Sequence, residues 1–499
     1  MQDELKKAIA AAAKSLFSVE LEPELSRPAE QFGDYATNVA LQLAGQLNKK
    51  PLEIAQTLAP ELENIEGIQS AAIAGPGFIN FKLTDKKLSQ ATAQATDLPK
   101  PLAGQEVLVE FGQANPFKEM HVGHLYNSVV GDAIASLMQA NGAGAKRLNY
   151  HGDVGLHVAK AIWAMQKAGI DTDESQDIGQ YYAQGTEAYD DDEQAKKEIQ
   201  DINAHIYAKD DPEINKLYDW GIKRSFSYLD DIFGLLQIKY DKRYLESQSQ
   251  QEGLAFVKAH KKVFASSQGA VVYEGEKAGL HTRVFITSKG LPTYETKDLG
   301  LVELKNQDYP RAARSIIITG NEQSEYFKVM LAALAEIDAQ LAKKTTHLSH
   351  GFVSLTTGKM SSRTGDVYGA MELLLEVKDA VHSQYPDSPA RKPVTFAAVK
   401  YAFLKHRLGS DIVLDIKESI SLEGNSGPYF QYAHARASSI LAKAKAQPVD
   451  SAEFDASERS LARKISEYPE VVQLATAELM PHHICTYLYE LAQTFNKFY

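Results

Sequence analysis

The sequence predicts a multidomain α/β protein with a small α+β domain at its N-terminus and an all-α domain at its C-terminus. Its length of 499 residues allows about three domains of ~150 residues each. Between residues 105 and 365, short apolar runs alternate with helical patterns, as is typical of α/β domains. Residues 366–499 show almost purely helical periodicity. We therefore predict domains at 1–95, 105–365 and 366–499.

The N-terminal domain combines helices with a strand. Apolar side chains recur at helical spacing over Phe32–Lys50, and Pro51 is well suited to open a second helix. Apolar and polar side chains then alternate over residues 79–83, which predicts a half-buried strand. The proline-rich stretch 97–104 is typical of a linker between this domain and the next.

The central domain begins with a strand, a helix and a second strand. Four short runs have the length and composition of strands in an α/β sheet: Val107–Phe111, Lys146–Tyr150, Val284–Ile286 and Ser315–Thr319. A helix ending near Ala140 joins the first two runs, which makes a βαβ unit. A mostly helical insertion, about 168–279, separates the two halves. This pattern predicts a Rossmann-like fold whose ligand binds at the switch point, where the halves meet.

Charge and cysteine content narrow the class of protein. The net charge of −12 argues against a general nucleic-acid coat protein, although a local basic surface can still contact RNA phosphates. Cys485 is the single cysteine, so we expect no intrachain disulfide and no structural zinc. No apolar run approaches the ~20 residues that cross a bilayer, and the N-terminus lacks a secretory signal. We expect a cytoplasmic protein without a membrane partner.

The most informative segment is Ala114–His124, ANPFKEMHVGH, which lies between a predicted strand and a predicted helix. Its histidines, His121 and His124, therefore meet a ligand at a helix N-terminus. When ATP activates a carboxylate, the α-phosphate gains negative charge, and imidazoles backed by the helix dipole can donate hydrogen bonds to it. Gly123 lets the backbone approach the nucleotide. The alternatives are two helix-capping histidines or a metal pair, but no HEXXH pattern is present.

The second motif is Gly358–Arg363, GKMSSR. It is not a P-loop, because Val353 stands where glycine is required and Met360 where serine or threonine is required. A mobile polar loop could instead close over ATP, with its lysine on the leaving pyrophosphate. The side chains that could contact ATP are Lys359, Ser361, Ser362 and Arg363. Alone, the motif could be an exposed basic turn. Together with the histidine motif, in this order, it favours adenylate formation.

The chain resembles the arginyl-tRNA synthetases, a family of class I aminoacyl-tRNA synthetases, over nearly its whole length. The blocks that carry the resemblance are FGDYATNVALQLA, GPGFINFKL, VEFGQANPFKEMHVGH, RLNYHGDVGLHV, TYETKDLG, ITGNEQSEYF, HGFVSLTTGKMSSRTGD, NSGPYFQYAHAR and ELAQTFNKFY. The resemblance implies an additional tRNA-binding domain at 1–95, a class I catalytic domain at 105–365 and an anticodon-binding domain at 366–499. The chain ends inside the last block, so we expect the third domain to be shortened.

The resemblance also implies which residues bind arginine. They are Glu110, Asn115, His124, Tyr294, Asp298 and Gln323. The two acids would bind the guanidinium, a planar fork that pairs with carboxylates. Asn115 and His124 would hold the amino and carboxylate end. Without the family, Glu110 could lie in a surface ion pair and Asp298 could cap a helix. Tyr294 and Gln323 could then be ordinary packing or surface residues.

For ATP, the resemblance implies that Lys118 neutralises the phosphates together with His121, His124 and Lys359. A solvated loop lysine is the alternative for Lys118. In the C-terminal domain, the residues suited to stacking on or binding unstacked RNA bases are Tyr429, Tyr432, His434 and Arg436. The alternative for the two tyrosines is the core of a helix bundle.

The implied activity is ATP-dependent ligation of L-arginine to tRNA(Arg) through an arginyl-adenylate, with Mg²⁺ on the phosphates. The resemblance implies transfer to the 2′-hydroxyl of the terminal adenosine and a need for bound tRNA before arginine is activated. We expect a monomer. Two other functions stay open at this point: a small-molecule nucleotidyltransferase, which would share the histidine motif, and a non-catalytic RNA-binding paralogue.

Overall fold

The structure is a computed structural model that describes residues 2–170, 178–356, 368–444 and 453–499. Its helices, in chain order, are α1 (Gln2–Phe17), α2 (Val39–Leu47), α3 (Pro51–Glu63), α4 (Asp85–Ala93), α5 (Val122–Ala140), α6 (Leu156–Ala168), α7 (Gly179–Asp191), α8 (Glu193–Ala208), α9 (Pro212–Leu235), α10 (Glu246–Ala259), α11 (Tyr294–Asp308), α12 (Ser324–Ile337), α13 (Ala339–Lys344), α14 (Ala370–Gln384), α15 (Arg391–Leu404), α16 (Ile416–Ser419), α17 (Gly427–Lys443), α18 (Ala456–Ser466), α19 (Tyr468–Glu478) and α20 (His482–Phe498). None of these helices has the length and apolar character needed to span a bilayer.

The strands are β1 (Leu25–Ser26), β2 (Tyr35–Thr37), β3 (Ile68–Ala74), β4 (Phe78–Leu83), β5 (Glu106–Glu110), β6 (Gly144–His151), β7 (Lys242–Leu245), β8 (Ala265–Ser267), β9 (Ala270–Tyr273), β10 (Arg283–Ile286), β11 (Ala312–Gly320), β12 (Thr345–His350), β13 (Val353–Leu355) and β14 (Ile412–Leu414). Helices and strands together form two compact units. The first comprises Met1–Pro99, Phe430–Leu474 and Thr486–Tyr499. The second comprises Lys100–Tyr429 and Ala475–Cys485.

The first unit contains an antiparallel sheet in the order β1-β2-β4-β3. Helices α1, α2 and α3 contribute Leu5, Leu43 and Leu58 to its apolar core, because each helix presents one apolar stripe. Ala462 of α18 belongs to the same core. Beside it, Arg459 donates to the buried carboxylate of Asp34 over 2.6 Å. Two distant segments of the chain therefore share one core.

The predicted helix over Phe32–Lys50 is wrong in its first part. Gly33 has a φ of +124°, and a Cβ there would lie 2.6 Å from the carbonyl oxygen of Phe81. The buried segment Tyr35–Thr37 then forms β2 and pairs with β4. Helix α2 begins only at Val39. The apolar residues at helical spacing, Val39, Leu43 and Leu47, all lie in α2, whereas the segment before them pairs with β4 because tertiary context outweighs local propensity.

The second unit contains a parallel sheet in the order β12-β11-β5-β6-β7. The strands predicted at Val107–Phe111, Lys146–Tyr150 and Ser315–Thr319 are confirmed as β5, β6 and β11. Strand β6 follows β5 on one side and β11 lies on the other side, so the winding of the sheet reverses at β5. A Rossmann-like sheet binds its ligand beyond the carboxyl ends of the strands at this reversal.

Short strands account for the differences from the sequence prediction, and β8 and β9, like β7, lie in the range predicted as a mostly helical insertion. Val284–Ile286 is a strand, within β10, but it pairs antiparallel with β9 outside the main sheet. Strand β7 lies within the range predicted as a helical insertion and extends the main sheet. Strand β14 pairs parallel with β13, so residues 366–499 are not purely helical. These strands have three or four residues, too few for a period to be detected. The partners of β7 and β14 are also distant in sequence.

The alternating faces of β5 decide where Glu110 points. Val107, Val109 and Phe111 pack with α5 in the largest apolar cluster. Leu108 packs on the opposite face against Leu301 of α11. Because side chains alternate along a strand, Glu110 lies on the α11 face, at the carboxyl end of β5.

Candidate active site

Polar residues stand at the carboxyl edge of the parallel sheet. Strands β5, β6 and β12 end at Glu110, His151 and His350, and α5 begins just after the loop that follows β5. Asn127 of α5 fixes this loop: its Oδ1 accepts from the Gly112 amide over 2.6 Å, and its Nδ2 donates to the Ile318 carbonyl of β11 over 2.8 Å. One buried amide therefore bridges the two strands at the switch point.

His121 caps α5 with its own ring. Its Nδ1 accepts from the amides of Gly123 and His124 over 3.1 and 3.4 Å. Burial, with a smaller contribution from the charge of Lys118, lowers the pKa of His121 to about 4. The ring is therefore neutral at pH 7, and because Nδ1 is an acceptor, the proton is on Nε2. His121 can donate one hydrogen bond, from Nε2, to a ligand.

His124 stacks on His121, with ring centroids 3.7 Å apart. Burial lowers the pKa of His124 well below its ordinary value, with contributions from His121 and His350. Its Nδ1 is buried and has no hydrogen-bond partner among the residues that the structure describes. A buried polar atom without a partner is costly unless a ligand satisfies it.

The backbone amides at the start of α5 are already hydrogen-bonded. The Val122 amide donates to the Tyr368 carbonyl over 3.0 Å, and the next two amides donate to the His121 ring. An anion at this helix terminus would thus meet imidazoles rather than free amides, with the helix dipole behind them. The sequence allowed two interpretations of these histidines: they could cap the helix, or they could bind an anion. This geometry is compatible with both.

Lys118 lies in the loop before α5 and is half-buried. Its ammonium is 4.6 Å from the ring centroid of Tyr182 in α7, a cation–π distance. Asn115, earlier in the loop, accepts from the Gly152 amide over 3.0 Å through Oδ1. The predicted ATP-contacting side chains of the second motif fall outside the described residues: Lys359, Ser361, Ser362 and Arg363.

Glu110 is buried, so the alternative of a surface ion pair is wrong. Its Oε2 accepts from Lys305 over 2.6 Å, and its Oε1 accepts from the Gln113 side chain over 3.1 Å. Both side chains of the ion pair are 2% exposed. Lys305 was not predicted, because nothing in the sequence links a lysine of α11 to an acid 195 residues earlier.

Asp298 is also buried, inside α11, where Thr293 occupies the N-cap position. The alternative of a helix cap is therefore wrong for Asp298. The hydroxyl of Tyr326 donates to its Oδ2 over 2.7 Å, and that hydroxyl is 3.3 Å from Oε1 of Gln323. The pKa of Asp298 is raised to about 7: burial raises it most, the Tyr326 hydrogen bond lowers it, and the charge of Glu110 raises it.

Tyr294 is the exception among the predicted arginine-site residues. It lies one turn before Asp298 on α11, but 68% of its surface is exposed. Its ring is 5.2 Å from the ammonium of Lys297, which pairs with the buried carboxylate of Glu246. The structure thus joins Asp298 and Gln323 through Tyr326, and leaves Tyr294 at the surface.

The predicted RNA-contacting residues lie on α17. Tyr432 is 51% exposed, and Tyr429 is half-buried. His434 is exposed, and the Arg436 guanidinium is 3.6 Å from the ring centroid of Tyr499. Within the described ranges, no three His, Cys, Asp or Glu side chains converge as metal ligands would.

Sequence and structure comparisons agree with these features. Three family models match: "Arginyl tRNA synthetase N terminal domain" over residues 3–83, "tRNA synthetases class I (R), catalytic domain" over 87–415, and "DALR anticodon binding domain" over 430–499. The arginine–tRNA ligase of Synechococcus elongatus is 30% identical, covering 94% of this chain and 86% of its own length. That of Bdellovibrio bacteriovorus is 29% identical, covering 95% and 86%.

A solved structure is similar over the whole chain. The arginyl-tRNA synthetase of Thermus thermophilus has a TM-score of 0.85 and 27% identity, with 100% of this chain and 92% of that chain covered. The matches favour arginine–tRNA ligation over a nucleotidyltransferase or a non-catalytic paralogue. With a catalytic-domain model covering more than half of its length, the chain belongs to the arginyl-tRNA synthetase family of class I aminoacyl-tRNA synthetases.

Proposed function

We propose that this protein ligates L-arginine to tRNA(Arg) in two steps, with MgATP as the activating substrate. The observation that carries the proposal is the pair of stacked imidazoles, His121 and His124, at the sheet edge where the buried acid Glu110 also lies. The imidazoles suit a phosphate, and the acid, together with Asp298, suits a guanidinium.

In the first step, an oxygen of the arginine carboxylate attacks the α-phosphorus of ATP, and the bond to the pyrophosphate oxygen breaks. No general base is needed, because the carboxylate is ionised at pH 7. Negative charge grows on the α-phosphate, where we assign hydrogen bonds from His121 and His124. We assign Lys118 to the phosphates and Gly123 to close approach of the nucleotide. We assign Lys359, Ser361, Ser362 and Arg363 to ATP from the sequence motif and from the resemblance.

In the second step, the 2′-hydroxyl of the terminal adenosine attacks the arginyl carbonyl carbon, and AMP leaves. We assign anticodon contacts to Tyr429, Tyr432 and Arg436, which offer stacking surfaces and a cation on one helix. Residues 1–95 would bind another part of the tRNA. Residues 105–365, with the insertion at about 168–279, would perform the chemistry, and residues 366–499 would form the anticodon-binding domain.

The charges around Glu110 and Asp298 support arginine as the substrate. Lys305 balances Glu110 in a buried pair, which leaves Asp298 as the acid whose charge has no lysine or arginine partner within hydrogen-bond distance among the described residues. One unbalanced acid matches one guanidinium. Asn115 and His124 would hold the amino and carboxylate end, and Gln323 and Tyr294 would border the pocket. Lysine lacks the fork of donors and would leave buried acceptors unpaired, so the site should reject it.

We also propose that the protein acts as a monomer in the cytoplasm and needs no structural zinc. The single cysteine, Cys485, supports both the compartment and the lack of a cysteine-based zinc site. Mg²⁺ would enter with ATP as part of the substrate.

The test is ATP–pyrophosphate exchange with each of the twenty amino acids, with and without tRNA. We expect exchange with arginine in the presence of tRNA(Arg), and background rates with lysine. Exchange that depends on glutamate or cysteine instead of arginine would refute the substrate assignment.

A further inference from the structure

Phe117, in the loop between β5 and α5, has a strained backbone. Its φ is +64°, in the left-handed region that is costly for a bulky side chain. Its side chain is fully buried, in the apolar cluster that α6 forms with helices of the insertion rather than in that of the sheet. Such a conformation persists only where surrounding contacts impose it.

One face of α9 supplies those contacts. Ser225 accepts the Phe117 amide hydrogen bond over 2.8 Å through Oγ. Gly221, one turn earlier, leaves a notch for the ring: a Cβ there would lie 2.1 Å from Cε1 of Phe117. Tyr218 lies about one turn before Gly221, and its ring centroid is 6.1 Å from that of Phe117. The Tyr218 hydroxyl also donates to Asp153 over 2.8 Å. Residues at this spacing share one helical face.

The two residues after Phe117 contact another helix of the insertion. The ammonium of Lys118 lies over the Tyr182 ring of α7. The side chain of Glu119 packs on Gly179, where a Cβ would lie 2.5 Å from its Cγ. Three consecutive residues of the loop, Phe117, Lys118 and Glu119, therefore contact the insertion, two residues before His121.

We propose that Phe117 is a positioning residue for ATP: the notch at Gly221 and the Ser225 hydroxyl hold its strained backbone, which sets where Lys118 and His121 lie. This inference rests on the proposed function, since it concerns the same phosphate site. It assigns to α9 a part in ATP binding that the sequence motifs do not suggest. Phe117 itself need not touch the nucleotide.

The test fills the notch and measures arginine-dependent ATP–pyrophosphate exchange of the full chain with tRNA present. Gly221→Ala should raise the KM for ATP about tenfold, because the methyl group displaces the ring and with it the loop. The KM for arginine should stay within about twofold. Gly234→Ala is the matched control, since it adds the same methyl group to α9 where nothing lies within 4 Å.

A second substitution that restores ATP binding would distinguish a loss of positioning from a general loss of folding or activity. Leucine lacks the Cε1 and Cζ atoms that the new methyl group would strike, so Gly221→Ala combined with Phe117→Leu should have an ATP KM within about threefold of Phe117→Leu alone. A Gly221→Ala enzyme indistinguishable from Gly234→Ala overturns the inference. Equal losses for ATP and arginine without rescue also overturn it. If wild type and Gly234→Ala both lack arginine-dependent exchange, the proposed function itself fails.

Discussion

The hydroxyl of Tyr326 donates a 2.7 Å hydrogen bond to Asp298, a carboxylate that is buried beside Glu110. Burial raises the pKa of Asp298 to about 7, and the Tyr326 hydrogen bond holds it below the value that burial alone would give. In the absence of arginine, Asp298 is therefore half protonated near neutral pH. A guanidinium binds the ionised form, so arginine binding and proton release are coupled.

We predict that the KM for arginine rises as the pH falls through 7. Asp298 holds a proton below its raised pKa, and only the ionised fraction binds a guanidinium, so affinity falls at low pH and is constant well above pH 7. The KM should be about tenfold higher at pH 6 than at pH 8, with kcat at saturating arginine changing little. Steady-state exchange kinetics over this range will measure it.

Tyr326→Phe should move this pH dependence to higher pH. The substitution removes the hydrogen bond that stabilises the ionised carboxylate, so the midpoint should rise above 7. Tyr244→Phe is the control, because it removes a tyrosine–aspartate hydrogen bond to Asp308, at the other end of α11. An arginine KM that does not change with pH in wild type would contradict the role given to Asp298.

We predict that His124→Ala lowers the rate of aminoacylation at least ~100-fold, as expected for a lost donor to transition-state charge. The Nδ1 of His124 has no hydrogen-bond partner among the described residues, so the substitution breaks no hydrogen bond of that atom within the protein. His205→Ala, which removes a half-buried imidazole paired with Asp210 on the surface, should leave the rate unchanged. Equal rates in both variants would remove His124 from the proposed chemistry.

The residues proposed to bind phosphate are easier to find in the sequence than the contacts around the residues proposed to bind arginine. His121, Gly123 and His124 are contiguous, so their spacing and their place before a helix are visible in the chain. Tyr326 and Lys305 contact their acids only because α11 and α12 pack together with the sheet. A pattern within one segment cannot reveal partners brought together by packing, and the family resemblance supplied Asp298 without them.

His350 is another residue whose place beside the histidine motif no local sequence pattern reveals. It ends β12, and it adds to the effect of burial, which lowers the pKa of both His121 and His124. In the sequence it lies more than two hundred residues from the histidine motif. The long elements β5, α5, β6 and β11 were predictable because burial imposes regular apolar patterns on them. The short strands β7 and β14 depend on partners distant in the chain.

We predict that Gly131→Ala lowers the free energy of unfolding by about 2 kcal/mol. A Cβ on Gly131 would lie 2.1 Å from Cγ of Phe111, so α5 must move away from β5 or the ring must shift. Gly45→Ala in α2 is the control, because nothing lies within 4 Å of its added methyl group. Urea unfolding of both variants will test this; equal midpoints would show that α5 accommodates the methyl group.

The last prediction concerns Arg459, whose guanidinium donates to the buried Asp34 over 2.6 Å within the first unit. Arg459→Met should lower the free energy of unfolding by about 3 kcal/mol, because Asp34 then keeps its charge in the core with a poorer partner, Arg463 at 3.6 Å. Lys14→Met, which breaks an ion pair whose side chains are 65% and 79% exposed, should cost less than about 0.5 kcal/mol.

The double variant Asp34→Asn with Arg459→Met decides the cause. If an uncompensated charge is what destabilises Arg459→Met, removing that charge as well should recover about half of the loss. The Leu83 amide, which donates to Asp34 over 2.7 Å, can still donate to the side-chain oxygen of the asparagine that replaces it. Urea unfolding followed by far-ultraviolet circular dichroism will measure all three variants. A double variant less stable than Arg459→Met would instead mean that the contacts of Asp34, rather than its charge, hold the sheet to α18.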